Sequence, residues 1–133
     1  DMDVAYTNFK SVANASRTAW GAEAKYYMAY VRHLQQKYRD AEKEVFELVQ
    51  KFPTYDHWKA RGFILLGDVY LQLEDRFQAK ATLQSVIDHC TEADLVAQAR
   101  QRLDAINASE VRQNTPAQQD SIVVPMPGNT NGR

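Results

Sequence analysis

The sequence contains little of what builds disulfide-rich, membrane-spanning or nucleic-acid-binding proteins. It has one cysteine, four prolines and five glycines in 133 residues, with a formal net charge of -1. A single cysteine excludes a framework of internal disulfides. The balanced charge and the lack of a basic, aromatic-rich stretch predict no binding to nucleic acid. No apolar run approaches the roughly 18 residues of a transmembrane helix, so we predict no membrane insertion.

Patterns typical of active sites are also missing. The three histidines, His33, His57 and His89, do not occur in an HExxH motif. His89 precedes Cys90, but neighbouring residues of a helix point about 100 degrees apart and rarely share a metal. No loop has the glycine pattern that holds phosphate. We therefore predict no catalytic residue, no metal site and no cofactor, and we predict that the protein is not an enzyme.

What the sequence does contain is helical periodicity. About 44% of its residues are apolar, enough for one compact domain. From residue 3 to residue 111 the apolar residues recur with the spacing of one helix face. The carboxylates Glu42, Glu44 and Glu47 then fall on an outer helix face beside Lys43 and Lys51, where we predict a salt-bridged surface. Six helices are predicted, at 3–14, 20–36, 38–51, 56–73, 76–89 and 93–111.

The predicted helices repeat. When the chain is shifted so that Ala29 falls on Gly67, small residues fall on small ones and large apolar residues on large ones. We call this displacement the repeat shift. A slightly shorter shift, which places Ala5 on Ala41, relates the first helix to the third in the same way. Small residues let two helices cross closely, which explains a glycine inside an apolar helix. The pairs under the repeat shift are Met28 with Leu66, Ala29 with Gly67, Val31 with Val69, Ala41 with Ala79, Val45 with Leu83, Leu48 with Val86, and Phe52 with Cys90.

This pattern resembles the tetratricopeptide repeat family. The residues that carry the resemblance are Phe63, Leu66, Gly67, Tyr70, Ala79, Leu83 and Val86, and in the preceding copy Met28, Ala29, Ala41, Val45, Leu48 and Pro53. The earlier copy departs from the family at Lys25 and Arg32, where bulky apolar groups are expected. The unit lengths and the stretch FQAKATLQS look most like tetratricopeptide proteins of bacterial cell envelopes. Because the chain begins with Asp1, we interpret it as a C-terminal fragment of such a protein.

The resemblance implies an all-α fold. It implies a right-handed α-α superhelix, a TPR-like solenoid of about two and a half hairpins with a C-terminal capping helix, over residues 1–112. The first helix of each hairpin lines the concave face in this family. A peptide-binding groove is thus expected at Glu23, Tyr26, Tyr30, His33, Arg61, Ile64, Asp68 and Leu71. Tyrosines make good anchors, although Tyr26 and Tyr30 could instead only fill space between hairpins. The family's lysine and asparagine clamp for a terminal carboxylate is disfavoured, because Tyr, Asp and Ile occupy those positions.

The last part of the chain is of different composition. Residues 113–133 are polar, with several prolines and glycines, so an extended or disordered tail is predicted there. Residues 121–127 form an apolar, proline-bearing stretch that favours extended geometry. One hypothesis is that this stretch docks onto the helices of its own molecule or of a neighbour.

Two functions follow from the resemblance. The first is a non-enzymatic scaffold that binds a partner protein or an extended peptide on the concave face. The alternative is a structural spacer or self-association segment of a longer envelope protein, with a homodimer formed through the open repeat end or the docked tail. The sequence does not choose between them.

Overall fold

The computed structural model describes the backbone of residues 1–123 and the side chains of residues 1–114. Within these residues the chain forms six α-helices and no strand, which confirms the predicted all-α class. Five helices lie within two residues of their predicted ends. Connections of three or four residues join them, so consecutive helices pack antiparallel. The helices are α1 Met2–Ala15, α2 Ala19–Leu34, α3 Tyr38–Lys51, α4 Asp56–Gln72, α5 Arg76–His89 and α6 Ala93–Val123.

The helices form two layers. Each helix packs against the next along the chain, and α2, α4 and α6 also contact one another in sequence. Among the described residues, α1 and α3, and likewise α3 and α5, have no Cα atoms within 8 Å of each other. The layer of α2, α4 and α6 is therefore the more closely packed one. We call it the inner layer.

The turns after α2 and α4 have the same backbone geometry at positions that the repeat shift makes equivalent. Gln36 and Glu74 adopt left-handed φ angles of 62° and 58°. In each turn the N–H of the following residue donates to the carbonyl five positions back, at 2.9 Å in the first and 2.8 Å in the second. This bond and the positive φ define a Schellman ending, which here occurs without the usual glycine. The repeat seen in the sequence is thus present in the backbone.

Small residues allow the close helix crossings. Ala29, Ala41 and Ala79 are completely buried. A Cβ atom added to Gly67 would lie 2.9 Å from Cγ and Cδ2 of Leu83, closer than carbon atoms normally approach. Leu83 of α5 therefore packs directly on the backbone of α4, and this contact explains the glycine at position 67.

A buried ionic cluster joins α1, α2 and α3. Lys25 is only 4% exposed, and its Nζ donates to Glu44 and to Glu47, the latter at 2.6 Å. Tyr6 of α1 donates its hydroxyl to the same Glu44, and the Arg32 guanidinium lies 3.7 Å from the centre of the Tyr6 ring. The predicted surface location of Glu44 is therefore wrong. Its partner Lys25, on the neighbouring helix, supplies the opposite charge that burial requires.

The cluster shifts the pKa values of two of its members. Burial alone would lower the pKa of Lys25, but the hydrogen bonds to Glu44 and Glu47 raise it above its ordinary value of 10.5. The hydrogen bond from Lys25 lowers the pKa of Glu47 below its ordinary 4.5. Both shifts favour the charged forms, so the ion pairs persist around neutral pH.

The last helix is longer than predicted. α6 continues to Val123, whereas the sequence placed its end near residue 111, so the extended tail predicted from residue 113 does not begin there. Six of the thirteen residues from 107 to 119 are glutamine, alanine or glutamate, which favour a helix, whereas Pro116 removes a backbone donor and disfavours one. Of the apolar stretch 121–127, residues 121–123 belong to α6 and residues 124–127 lie outside the described residues.

Within residues 1–123, no helix combines the length and the apolar character needed to cross a membrane.

Candidate functional site

A groove runs along the inner layer and consists of two adjacent cavities. The first has a volume of about 190 Å³ and the second about 460 Å³. Arg102 of α6 lines both, so the cavities meet at its side chain. We call them the aromatic cavity and the apolar cavity. The aromatic cavity is lined by Tyr26, Tyr30, His33, Arg61, Ile64, Leu65, Asp68, Gln98 and Arg102. The apolar cavity is lined by Leu71, Glu74, Arg76, Arg102, Ala105, Ile106 and Ser109.

Six of the eight predicted groove residues line the aromatic cavity, namely Tyr26, Tyr30, His33, Arg61, Ile64 and Asp68. Leu71 lines the apolar cavity instead. Glu23 lies half-buried on α2 and lines neither cavity. The predicted positions on α2 and α4 therefore come together on one surface, apart from Glu23.

Stacked aromatic rings build one wall of the aromatic cavity. The Tyr26 and Tyr30 rings are nearly parallel, with centroids 6.4 Å apart, and Trp58 lies 5.7 Å from Tyr26. Tyr26 is 8% exposed and mainly fills space between the helices, whereas Tyr30 is 39% exposed. Burial raises the pKa of Tyr26, so its hydroxyl stays neutral at physiological pH. Tyr30 is therefore the more accessible ring of this wall.

Arg61 lies over these rings. Its guanidinium carbon is 4.7 Å from the centre of the Tyr26 ring and 5.1 Å from that of Trp58. Contacts of this kind stabilise a cation by roughly 0.5–2 kcal/mol, depending on how well water is excluded. Among the described residues, no carboxylate forms an ion pair with Arg61. Within that part of the chain, the aromatic cavity therefore contains a positioned arginine that forms no ion pair with a carboxylate.

The neighbouring charges are paired. Arg102 donates from Nε to the two oxygens of Asp68, at 3.1 and 3.3 Å. This ion pair joins α4 to α6 at the boundary between the two cavities. Asp68 therefore pairs with Arg102, and among the described residues it forms no ion pair with Arg61.

His33 has an unsatisfied polar atom at the edge of the aromatic cavity. Its Nδ1 is buried and has no hydrogen-bond partner among the described residues. Its ring lies 5.6 Å from that of Tyr38 at the start of α3. Buried polar atoms are normally satisfied, so an unpaired one beside a groove marks a place where a ligand or water contributes the missing bond.

Sequence reasoning missed the contribution of α6. We predicted that this helix only caps the stack, yet Gln98 and Arg102 line the aromatic cavity. A signal was available: the repeat shift, applied once more, moves Ile64 to Arg102, Asp68 to Ile106 and Leu71 to Ser109. All three of these positions on α6 line the groove.

The other histidines make ordinary contacts outside the groove. His57 Nδ1 lies 2.9 Å from a carboxylate oxygen of Glu92, and His89 Nδ1 lies 3.0 Å from the carbonyl of Ser85. In the part of the chain that the structure describes, no group of three or more His, Cys, Asp or Glu residues is arranged to hold a metal ion.

No protein-family model matches the chain, and no curated protein or solved structure matches it either. The geometry of the groove is therefore the basis for assigning a function.

Proposed function

We propose that the chain is a protein-interaction module that binds an extended peptide segment of a partner protein in the inner-layer groove. The observation that carries this proposal is the groove itself. It joins an accessible tyrosine, an arginine unpaired among the described residues and an apolar cavity on three packed helices. In this proposal the chain acts as a scaffold that binds its partner and catalyses no reaction.

The architecture supports a tetratricopeptide-type superhelix. The turns at Gln36 and Glu74 have the same geometry at equivalent positions of the repeat, and the alternating helices form two layers. Equivalent turns and small-residue crossings are what a right-handed stack of hairpins requires, with the inner layer on its concave side. The location in a bacterial cell envelope is proposed from likeness in sequence alone.

The polar groups of the groove suit a peptide better than a metal or a phosphate. A peptide backbone offers both donors and acceptors, which can satisfy His33 and Gln98 at the same site. Tyr30 gives a rigid aromatic surface for a side chain, at little cost in conformational entropy. Helices present these groups from a fixed scaffold, so binding requires little reorganisation.

A matched pair of alanine variants tests the proposal. We expect Tyr30→Ala to weaken binding of peptides selected from a random linear dodecapeptide library by at least about tenfold, because an aromatic anchor is lost. Phe46→Ala is the control, since Phe46 is 50% exposed on α3 and lines neither groove cavity. Fluorescence anisotropy of labelled peptides gives both affinities. Equal affinities for Tyr30→Ala and wild type would show that the peptides do not bind in the groove.

The second candidate, self-association, is favoured by an exposed apolar face of α1. Val4 and Val12, about 80 degrees apart around the helix, are 56% and 43% exposed there. Exposed apolar side chains on one helix are suited to packing against another copy. If this face forms a dimer, light scattering will show a doubled mass that Val4→Glu with Val12→Glu reduces to that of a monomer.

A further inference from the structure

The two cavities of the groove differ in chemistry, and this difference specifies a ligand. We propose that the groove recognises a peptide with an acidic side chain at Arg61 and a large apolar side chain in the apolar cavity, four or five residues apart. This inference rests on the proposed function and adds the chemical class and the spacing of the ligand's residues. The alternative ligands, basic or purely apolar peptides, are outcomes of the test below.

The acidic residue is inferred from how Arg61 is held. Its guanidinium lies over Tyr26 and Trp58, at 4.7 and 5.1 Å from the ring centres. A stacked guanidinium keeps its N–H groups in the plane of the fork, where a carboxylate can accept two parallel hydrogen bonds. Arg61 forms no ion pair with a carboxylate among the described residues, so its N–H groups are available to the ligand.

The apolar residue is inferred from the second cavity. Leu71, Ala105 and Ile106 supply its apolar walls, while Glu74, Arg76 and Ser109 lie at its polar rim. Its volume of about 460 Å³ admits a leucine or phenylalanine side chain. Burial of such a side chain in the cavity is favourable, whereas a charged side chain would lose its hydration there.

The spacing follows from the helix that carries both determinants. Arg61 and Leu71 lie ten positions apart on α4, and a rise of 1.5 Å per residue separates them by about 15 Å along the axis. On both α4 and α6, the earlier residues line the aromatic cavity and the later residues line the apolar cavity. The groove therefore runs along these two helices. An extended peptide advances about 3.3 Å per residue, and 15 Å therefore corresponds to four or five residues.

The test is selection of linear dodecapeptides from a phage-displayed random library, in parallel on the wild-type chain and on single variants. We expect wild type to enrich peptides with Asp or Glu four or five positions from Leu, Phe, Ile or Met. Arg61→Gln should lose the enrichment of acids while keeping that of apolar residues. Ala105→Lys should lose the enrichment of apolar residues while keeping that of acids, because it places a charged side chain at the exposed edge of the apolar cavity.

Arg100→Gln is the control, because it removes an exposed arginine of α6 that lines neither cavity, and it should select the same peptides as wild type. Arg76→Gln changes the groove itself and tests whether the arginine that lines the apolar cavity, rather than Arg61, selects the acidic residue. For one selected peptide, we expect Arg61→Gln to reduce affinity ten- to a hundredfold, the usual effect of losing a charged hydrogen bond.

The outcomes separate this inference from the proposed function. Peptides that depend on Tyr30 but show no acidic residue, or no preferred spacing, would overturn the inference and leave the groove as a peptide site. An acidic preference that disappears in Arg76→Gln rather than in Arg61→Gln would overturn it as well. If no selected peptide depends on Tyr30, both the inference and the proposed function fail.

Discussion

The two hairpins, α2–α3 and α4–α5, have equivalent turns and equivalent small residues but different interiors. Ala29 and Ala41 in the first correspond to Gly67 and Ala79 in the second, and all four are buried. Lys25, in contrast, corresponds to Phe63 under the same repeat shift. The first hairpin thus contains a buried ammonium group where the second has an aromatic ring.

This difference shows which positions specify the backbone. The close crossings and the left-handed turns depend on small residues and on hydrogen bonds that are common to both hairpins. The large positions tolerate different chemistry, provided that the neighbouring helix supplies a suitable partner. For Lys25 those partners are Glu44 and Glu47, whereas Phe63 packs against the apolar core.

The largest expected effect comes from breaking the ionic cluster. Lys25→Met leaves Glu44 buried without its counter-charge, and we expect a loss of about 3–5 kcal/mol in the free energy of unfolding. The double variant Lys25→Met with Glu44→Leu should recover most of this loss, because an apolar pair resembles the interior of the second hairpin. Urea denaturation gives the free energy of unfolding of both variants. If Lys25→Met is as stable as the double variant, the buried Glu44 does not depend on Lys25 for its counter-charge.

The next effect concerns the close crossing in the second hairpin. Gly67→Val places bulk where Leu83 already packs, and we expect a loss of about 2–3 kcal/mol from overpacking. Gly67→Ala should be milder, since its helix propensity improves by about 1 kcal/mol and offsets part of the clash. Thermal and urea unfolding can rank the three proteins. Wild-type stability in Gly67→Val would mean that the crossing is looser than the structure has it.

The two equivalent turns predict a gain in stability. Gln36→Gly and Glu74→Gly each remove the strain of a left-handed residue that carries a Cβ atom, and each should stabilise the protein by about 1 kcal/mol. Both side chains are exposed, so little packing is lost. Similar gains at the two positions would confirm that the turns are energetically equivalent. A gain at one and a loss at the other would contradict it.

The smallest effect is the pH dependence that Glu47 contributes to the first hairpin. Its folded-state pKa is lowered, so its stabilising contribution is present above the ordinary pKa of 4.5 and disappears as the pH falls through the lowered folded value. Glu47 is partly exposed, so solvent screening limits this contribution to less than about 1 kcal/mol.

The opposite sign holds for Lys25, whose folded-state pKa is raised. Its contribution is present below its ordinary pKa of 10.5 and disappears as the pH rises through the raised folded value. Unfolding free energies of wild type and of Glu47→Gln, measured between pH 3 and pH 7, isolate the contribution of Glu47. Parallel curves for the two proteins would show that Glu47 does not contribute.

The sequence predicted the positions of the helices well, but it predicted fewer of the contacts within the site. Five helices were located within two residues, because apolar spacing and short polar breaks are local signals. The side chain of Asp75 accepts a hydrogen bond from the Gln78 N–H at 3.0 Å and so caps the start of α5. The end of α6 was placed too early, because loss of apolar spacing need not end an exposed helix.

For the groove, the sequence pattern grouped positions on α2 and α4 that line one cavity, but it did not give their partners on α6. Arg102 was missed although the repeat shift carries Ile64 onto it, because the repeat was not extended into α6. Glu44 was assigned to the surface from the polar residues beside it on α3. Its burial depends on Lys25, which lies on another helix.

The sequence by itself determined the six helices, their short connections and the register of the repeat, because each depends on residues that recur in a regular pattern along the chain. Only the tertiary structure decided that Lys25 is buried with Glu44 and that Arg102 is paired with Asp68, while Arg61 has no carboxylate partner among the described residues. Burial and ion pairing depend on which side chains meet in space. Residues with the same charge therefore acquire different roles when neighbouring helices bring them different partners.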